Sequence, residues 1–159
     1  MLIANPTNEQ WEQLNTNCFS TPEDMEYLNA FAYNNMRASR ERLLFFLQHP
    51  RNNITTWLIE EEERIVGFLN YGNVILWQPD AFGIVIGRAY ANKGYAKKAL
   101  TELIAGRNTF NIQRFNGYCS RKNVGMIRVM QSLGFIQDMN FRDPEDLNAI
   151  KFTLAQQEE

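Results

Sequence analysis

The chain opens on a short apolar run, Leu2-Ile3-Ala4, cut off by Asn5-Pro6, which predicts a brief first strand. Thr7 or Asn8 then starts a helix that carries Trp11 and Leu14. A second helix start follows at Ser20-Thr21-Pro22-Glu23-Asp24, with proline in the first turn and acids beside it. Apolar residues at Met25, Leu28, Phe31 and Ala32, and again at Leu43, Leu44 and Leu47, keep helical spacing as far as His49-Pro50, with a break expected near Asn34-Asn35. The pattern then changes. Ile54 to Ile59 is rich in β-formers, Glu60 to Glu63 before Arg64 reads as a charged hairpin turn, and Ile65 to Ile75 is the return strand. After a turn at Pro79-Asp80, Phe82-Gly83-Ile84-Val85-Ile86 is almost wholly apolar, as in a strand buried on both faces. Helical spacing returns at Ala96, Ala99, Leu100, Leu103 and Ile104 and stops near Gly106. Phe115 to Cys119 is a further strand. A helix from Asn123 carries Met126, Ile127, Met130 and Leu133 and is stopped by Gly134. Phe135-Ile136 and Ala149 to Leu154 are the last strands.

Strands and helices follow one another with no linker, repeat or low-complexity stretch. The expectation is one α/β domain over residues 1–155, with 156–159 a frayed tail. A chain of 159 residues that is 45% hydrophobic and 13% aromatic has ample material for a core, which excludes a disordered or disulfide-stapled class. Its formal charge of -2 leaves no overall electrostatic footprint for nucleic acid. Cys18 and Cys119 stand far apart and fit neither a zinc spacing nor a disulfide framework, so a reducing, cytoplasmic setting is expected. The first residues lack a signal-peptide layout, and runs such as Leu43 to Leu47 are too short to span a bilayer. Neither a nucleic-acid nor a membrane partner is expected. His49 is the sole histidine, which removes a multi-His metal site and any triad built on another histidine. Its place before Pro50 suits a helix cap. No metal is expected.

The chemistry concentrates between Phe82 and Leu103. A buried strand runs into a loop, Lys93-Gly94-Tyr95-Ala96, and a helix follows at once. The first turn of a helix offers free N–H groups and a partial positive charge, and an anion placed there gains both. Gly94 and small Ala96 let the backbone come close to such a ligand, and Lys93, Lys97 and Lys98 raise the local potential. The loop is neither a P-loop nor a dinucleotide fingerprint, since the glycine spacing of each is missing.

A second segment accompanies the first: the strand Phe115 to Cys119, then Asn123, then a helix ending Ser132-Leu133-Gly134-Phe135. Together the two resemble the GNAT superfamily of acyl-CoA-dependent N-acetyltransferases, and within it the ribosomal-protein N-terminal acetyltransferase-like branch. That branch commonly reads Arg-Gly-Lys-Gly-Tyr-Ala-Thr-Glu-Ala-Leu where this chain has Ala91-Asn92-Lys93-Gly94-Tyr95-Ala96-Lys97-Lys98-Ala99-Leu100. Its later motif, Asn-x-x-Ser-x-Arg-Val-Leu-x-x-Leu-Gly-Phe, is matched by Asn123 to Phe135. The second half of the chain carries the resemblance closely. The first half carries it by element order and by Ile65-Val66-Gly67. The fold implied is a mixed, mostly antiparallel sheet of about six to seven strands, flanked by helices and splayed between strands 4 and 5.

The resemblance also implies a layout. Acetyl-CoA is the acyl donor. Its pyrophosphate lies on the amides of Asn92 to Ala96, its pantetheine arm pairs with Ile84, Val85 and Ile86 as an extra strand, and Asn123 contacts the pantetheine or acyl end. Ala91 stands where the family usually has a basic or amide side chain, and Asn92 replaces a glycine; asparagine tolerates left-handed backbone, so the loop shape can survive. The family's usual general base position holds Ala81, and its hydroxyl positions hold Met126 and Met130. Asp80 is therefore the candidate base, with Tyr118 and Cys119 as further proton donors to consider. An amide of Val85 or Ile86 is expected to steady the oxyanion. The expected activity is transfer of an acetyl group to a primary amine by direct attack in a ternary complex. The acceptor is a protein N-terminus, a polyamine or another small amine, met by a wall built from Thr21 to Pro50. The alternatives are an acyl-CoA-binding sensor or interaction module with weak or lost catalysis, and a structural protein with no CoA site. A homodimer is a further expectation of the fold.

Overall fold

The computed structural model describes residues 1–30, 39–50, 53–74 and 78–154. The expected break near Asn34-Asn35 and the tail at 156–159 lie outside them, and the return strand expected to reach Ile75 ends at Gly72. Among the described residues the order is β1 (Leu2–Ile3), α1 (Asn8–Cys18), α2 (Pro22–Ala30), α3 (Arg40–Gln48), β2 (Ile54–Glu61), β3 (Arg64–Gly72), β4 (Ala81–Ile86), α4 (Tyr95–Ala105), β5 (Phe115–Ser120), α5 (Val124–Ser132), β6 (Ile136–Gln137) and β7 (Ala149–Leu154), with one 3-10 turn at Arg88–Tyr90. The strands form a single sheet in the order β1-β2-β3-β4-β5-β7-β6. Every neighbouring pair is antiparallel except β4 and β5, which are parallel.

Local chemistry explains the boundaries. Thr7 caps α1 in a reciprocal box with Gln10, and the His49 ring stacks on Phe45 at the end of α3, 4.5 Å between centroids. The β2–β3 hairpin is tighter than its composition suggests. Glu60 and Glu61 belong to the strand, and only Glu62 and Glu63, both at positive φ, make the turn. The sheet is covered on both faces. One face packs under α1, α2 and α3 around Leu14, Phe19, Leu47, Leu58, Ile65 and Phe68. The other packs under α4 and α5 around Leu69, Phe82, Leu100, Leu103, Phe115, Met130 and Phe152. Each such Leu, Ile or Phe contributes roughly 1.5–3 kcal/mol by leaving water.

The fourth strand departs from the expected double burial. Ala81 and Phe82 are buried, but Gly83 to Ile86 are only half-buried. The cause is the splay: among the described residues β4 pairs with β5 only through Ala81↔Asn116 and Phe82↔Gly117, and beyond Phe82 no strand lies against that edge. No helix among the described residues is long and apolar enough to cross a membrane.

Candidate active site

The site begins where β4 and β5 part. Asn116 N donates to the Asp80 carbonyl at 2.9 Å, and Gly87 N donates to the Val66 carbonyl at 2.8 Å. Along a strand, the backbone polar groups of successive residues point to opposite edges. The groups of Phe82, Ile84 and Ile86 therefore face β5, and those of Gly83 and Val85 face β3, where Phe68↔Val85 and Asn70↔Gly83 are in register. Because β5 has already diverged, Ile84 and Ile86 present N–H and C=O to open space. This refines the expected contacts along Ile84 to Ile86. Val85 is committed to β3, so of the amides expected to steady an oxyanion, that of Ile86 faces the open edge, joined by that of Ile84.

The strand leads into the anion cradle. Asn92 sits at φ +62°, the left-handed conformation expected of it, and Gly94 at φ +81° is the N-cap of α4. No side chain caps this end and no acid lies in the first turn. The opening N–H groups of α4 thus have no local acceptor, which is the arrangement that binds phosphates. A Cβ built on Gly94 meets nothing within 4 Å, so the approach from outside is clear. Lys93 and Lys97 are exposed beside it, with the Lys93 ammonium 5.9 Å from the Tyr90 ring centre. Ala91 closes the preceding 3-10 turn, its N–H on the Arg88 carbonyl at 3.3 Å, and Tyr95 and Ala96 form the first turn of α4. An anion held here would meet backbone groups rather than a side chain at residue 91. With the open edge of β4 leading to it, the arrangement fits a long ligand that has a diphosphate at one end and amides along its arm.

Lys98 does not join the cradle as expected. Its ammonium lies 2.6 Å from Glu61 Oε2, while the amino group of Met1 lies 3.2 Å from Glu61 Oε1. The acidic stretch is therefore more than a solvated turn, because Glu61 is buried and anchors α4 to the hairpin. Burial pushes the Glu61 carboxyl up, but Lys98 and the Met1 amino group together outweigh it and hold the carboxyl below its ordinary 4.5. The folded chain thus binds this proton less readily than the unfolded one. The stabilisation is fully present above pH 4.5 and is lost as pH falls through the lower folded value. Glu61→Gln is expected to lower the Tm by roughly 2–4 °C at pH 7, in keeping with a solvent-screened pair. The gap from wild type should close in acid. Melting curves between pH 7 and pH 3 check this, and a gap independent of pH would refute it.

The remaining candidates divide. Asn123 caps α5, its Oδ1 accepting from Met126 N at 3.2 Å, so the cap uses the carbonyl side and leaves the amide nitrogen outside it. Asp80 is exposed at φ +58°, just before the paired end of β4. Its charge bears on Tyr71 and Tyr118, whose hydroxyls are pushed up to about 12 by burial first and by carboxylates second. Tyr118 follows Gly117 on β5 and so stands across the splay from Gly83, its hydroxyl donating to Gln78 Oε1 at 2.9 Å. Cys119 lies in the apolar core cluster, where burial lifts its thiol to about 12. Cys18 is likewise buried, and its sulfur lies where a Cβ on Gly87 would come within 2.7 Å. Ala81 and Met130 are fully buried. On the helical wall, Asp24 pairs with Arg88 at 3.2 Å and shares reciprocal hydrogen bonds with Thr21, so it is both a cap and a tie.

The sequence reading passed over Asn70. It is 3% exposed on β3, and its Oδ1 accepts no hydrogen bond among the described residues. Thr56 Oγ1, its cross-strand neighbour on β2, is also buried without a partner. Leaving such an atom unsatisfied costs about 1–3 kcal/mol. The available signal was one amide inside the apolar run Val66-Gly67-Phe68-Leu69-Asn70.

Comparison with known proteins agrees with this geometry. Residues 1–136 match the model of the acetyltransferase (GNAT) domain. No curated protein sequence matches the chain. Among solved structures, the chain is similar to RimL, a ribosomal L7/L12 α-N-protein acetyltransferase in complex with coenzyme A, with a TM-score of 0.74 and 16% identity over 98% of this chain and 93% of that one. It is similar to the Salmonella typhimurium acetyltransferase that modifies the N-terminal serine of ribosomal protein L7/L12, with a TM-score of 0.73 and 17% identity over 98% and 94%. It is also similar to the Campylobacter jejuni N-acetyltransferase PseH in complex with acetyl coenzyme A, with a TM-score of 0.64 and 16% identity over 99% of each chain. At these identities the likeness speaks for the fold. With a family match that spans most of its length, an open β4 edge and an uncapped α4 start in the expected places, the chain belongs to the GNAT acyl-CoA-dependent N-acetyltransferases.

Proposed function

We propose that this protein transfers the acetyl group of acetyl-CoA to a primary amine by direct attack, and that a protein N-terminus is the favoured acceptor, with polyamines and other small amines next. The observation that carries the reading is the free β4 edge at Ile84 and Ile86 leading into the uncapped start of α4. The amides of Asn92 to Ala96 hold the diphosphate, and Ile84 and Ile86 pair with the pantetheine amides, as in strand addition. The Asn123 amide nitrogen faces the same arm. The likeness to the L7/L12 acetyltransferases supports the choice of a protein N-terminus.

In the reaction the amine gives up one proton. Its nitrogen lone pair then attacks the thioester carbonyl, forming a C–N bond and an oxyanion steadied by an open-edge amide. The attacking nitrogen loses its second proton, the oxyanion's electron pair re-forms the carbonyl as the C–S bond breaks, and the CoA thiolate leaves with the C–S electron pair and takes up a proton, so that one proton is released to solvent overall. Proximity of amine and thioester supplies most of the acceleration. Asp80 is assigned as the proton acceptor, acting directly or through water, because its carboxylate is exposed beside the closed end of the splay. Tyr118, neutral at physiological pH and across the splay from Gly83, is placed to protonate the departing thiolate.

The test is thiol release from acetyl-CoA in the presence of an unblocked peptide beginning with Ser, spermidine, or a small primary amine. Release with at least one acceptor is expected, together with a rate about tenfold or more lower in Asp80→Asn. A thermal shift with CoA but no release from any acceptor would leave an acyl-CoA-binding module. An unchanged rate in Asp80→Asn would remove that residue from the mechanism.

A further inference from the structure

We propose that Glu61 sets the affinity of this protein for coenzyme A: its buried carboxylate holds the Lys98 ammonium back from the anion cradle, and the coenzyme's diphosphate binds more tightly once Lys98 is released. The inference rests on the reading of Asn92 to Ala96 as the cradle and adds the residue that tempers it.

Lys98 belongs by position to the start of α4. It stands four residues after the N-cap Gly94, and Lys98 N closes the first helical turn on the Gly94 carbonyl at 3.1 Å. Residues four apart share a helix face, and a helical side chain leans over the turn on its N-terminal side. The lysine therefore runs toward the end of α4 at which the opening N–H groups are free. The space there is accessible. Gly94, Lys97, Lys98, Thr101 and Glu102 line one open groove of about 470 Å³ along this face, and the Lys98 side chain is 63% exposed. An anion seated on the helix start thus lies at the mouth of the groove that Lys98 lines.

In the free protein that ammonium is engaged elsewhere. It donates to Glu61 Oε2 at 2.6 Å, and Glu61, the last residue of β2, is only 7% exposed. The pair is asymmetric. The cation is solvated at the end of a flexible four-carbon stem, whereas the anion is fixed by burial and by the Met1 amino group at 3.2 Å. Lys97 lines the same groove and makes no ion pair among the described residues, so the restraint is particular to Lys98. Of two anions that compete for this lysine, Glu61 is the one always present. A diphosphate must displace it, and its apparent affinity falls with the fraction of molecules in which Lys98 is held.

Calorimetric titration with coenzyme A separates this role from the anchoring one. Glu61→Gln is expected to lower the dissociation constant by about threefold or more, even as its Tm falls. In a Lys98→Met background the same change should alter the constant by less than about twofold, because no lysine is left to release. Glu61→Asp keeps the charge but shortens its reach by one methylene. It should tighten binding in the same direction by a smaller factor, and it carries the test if Glu61→Gln does not fold. Unchanged or weaker binding in the folded Glu61 variants would make Glu61 an anchor of α4 alone and overturn the proposal. A gain that persists without Lys98 would assign it to the field of the carboxylate and overturn the proposal equally. If wild type does not bind coenzyme A, or Gly94→Glu leaves its affinity unaltered, the cradle itself falls and this role with it. Wild-type binding that Gly94→Glu abolishes, with indifferent Glu61 variants, overturns this inference alone.

Discussion

Gly94→Glu is expected to weaken coenzyme A binding by about 100-fold or more, a loss of roughly 2.7 kcal/mol. Two effects combine. Glycine occupies φ +81° at this N-cap, a conformation that costs an L-residue roughly 1–2 kcal/mol. The new carboxylate also projects into the opening where the diphosphate meets the helix start, setting like charges together. Nothing lies within 4 Å of a Cβ at this position, so the free protein has no clash to relieve and the variant should fold. Gly94→Asn gives the control, since asparagine accepts the left-handed backbone without adding charge. At a hundredfold excess of ligand over its dissociation constant, wild type should gain about 2.7 kcal/mol of stability. The Glu variant should show almost none of that thermal shift. An unaltered shift would sink the assignment of this loop as the anion cradle.

Phe82→Ala is expected to cost about 3–5 kcal/mol, which lowers the Tm by at least about 6 °C. Phe82 is 5% exposed and is the last residue through which β4 pairs with β5. Its ring packs edge-on to Phe135, with centroids 5.7 Å apart, and covers Gly117 so closely that a Cβ there would fall within 2.7–2.8 Å of the ring. Truncation leaves a cavity at the pivot of the splay, where strand pairing, α5 packing and the ligand edge meet. Chemical denaturation measures the loss. A change below about 1 kcal/mol would mean that the hinge does not rest on this ring, contrary to what its burial implies.

Much of this architecture was legible in the amino-acid order. Helix starts at Thr7, Pro22 and Asn123 carry their own local chemistry, and the apolar periods of α4 and α5 mark their buried faces. The uncapped start of α4 was legible because its signal is local: a glycine, a neighbour tolerant of positive φ and a helix start within a few residues. What escaped was non-local. Glu61 reads as one acid among four in sequence, and only the approach of Lys98 from a helix far along the chain shows that it is an anchor. Asp24 and Arg88 meet by the same kind of convergence. Asn70 reads as a lone amide in an apolar strand, and only the register sets it beside Gly83. The half-exposure of β4 could not be read from its composition either, because it depends on where a partner strand stops.

The alternation along β4 carries a consequence for how this protein can evolve. The peptide groups of Gly83 and Val85 knit the strand to β3, while those of Ile84 and Ile86 stand open on the far edge. Inserting or deleting one residue between Phe82 and Ile86 would exchange these duties at a stroke and turn the wrong set of peptides toward the cleft. Substitutions in this stretch can drift as long as they suit the core, but its length is held by parity, and only changes in steps of two preserve the reading frame of the groove.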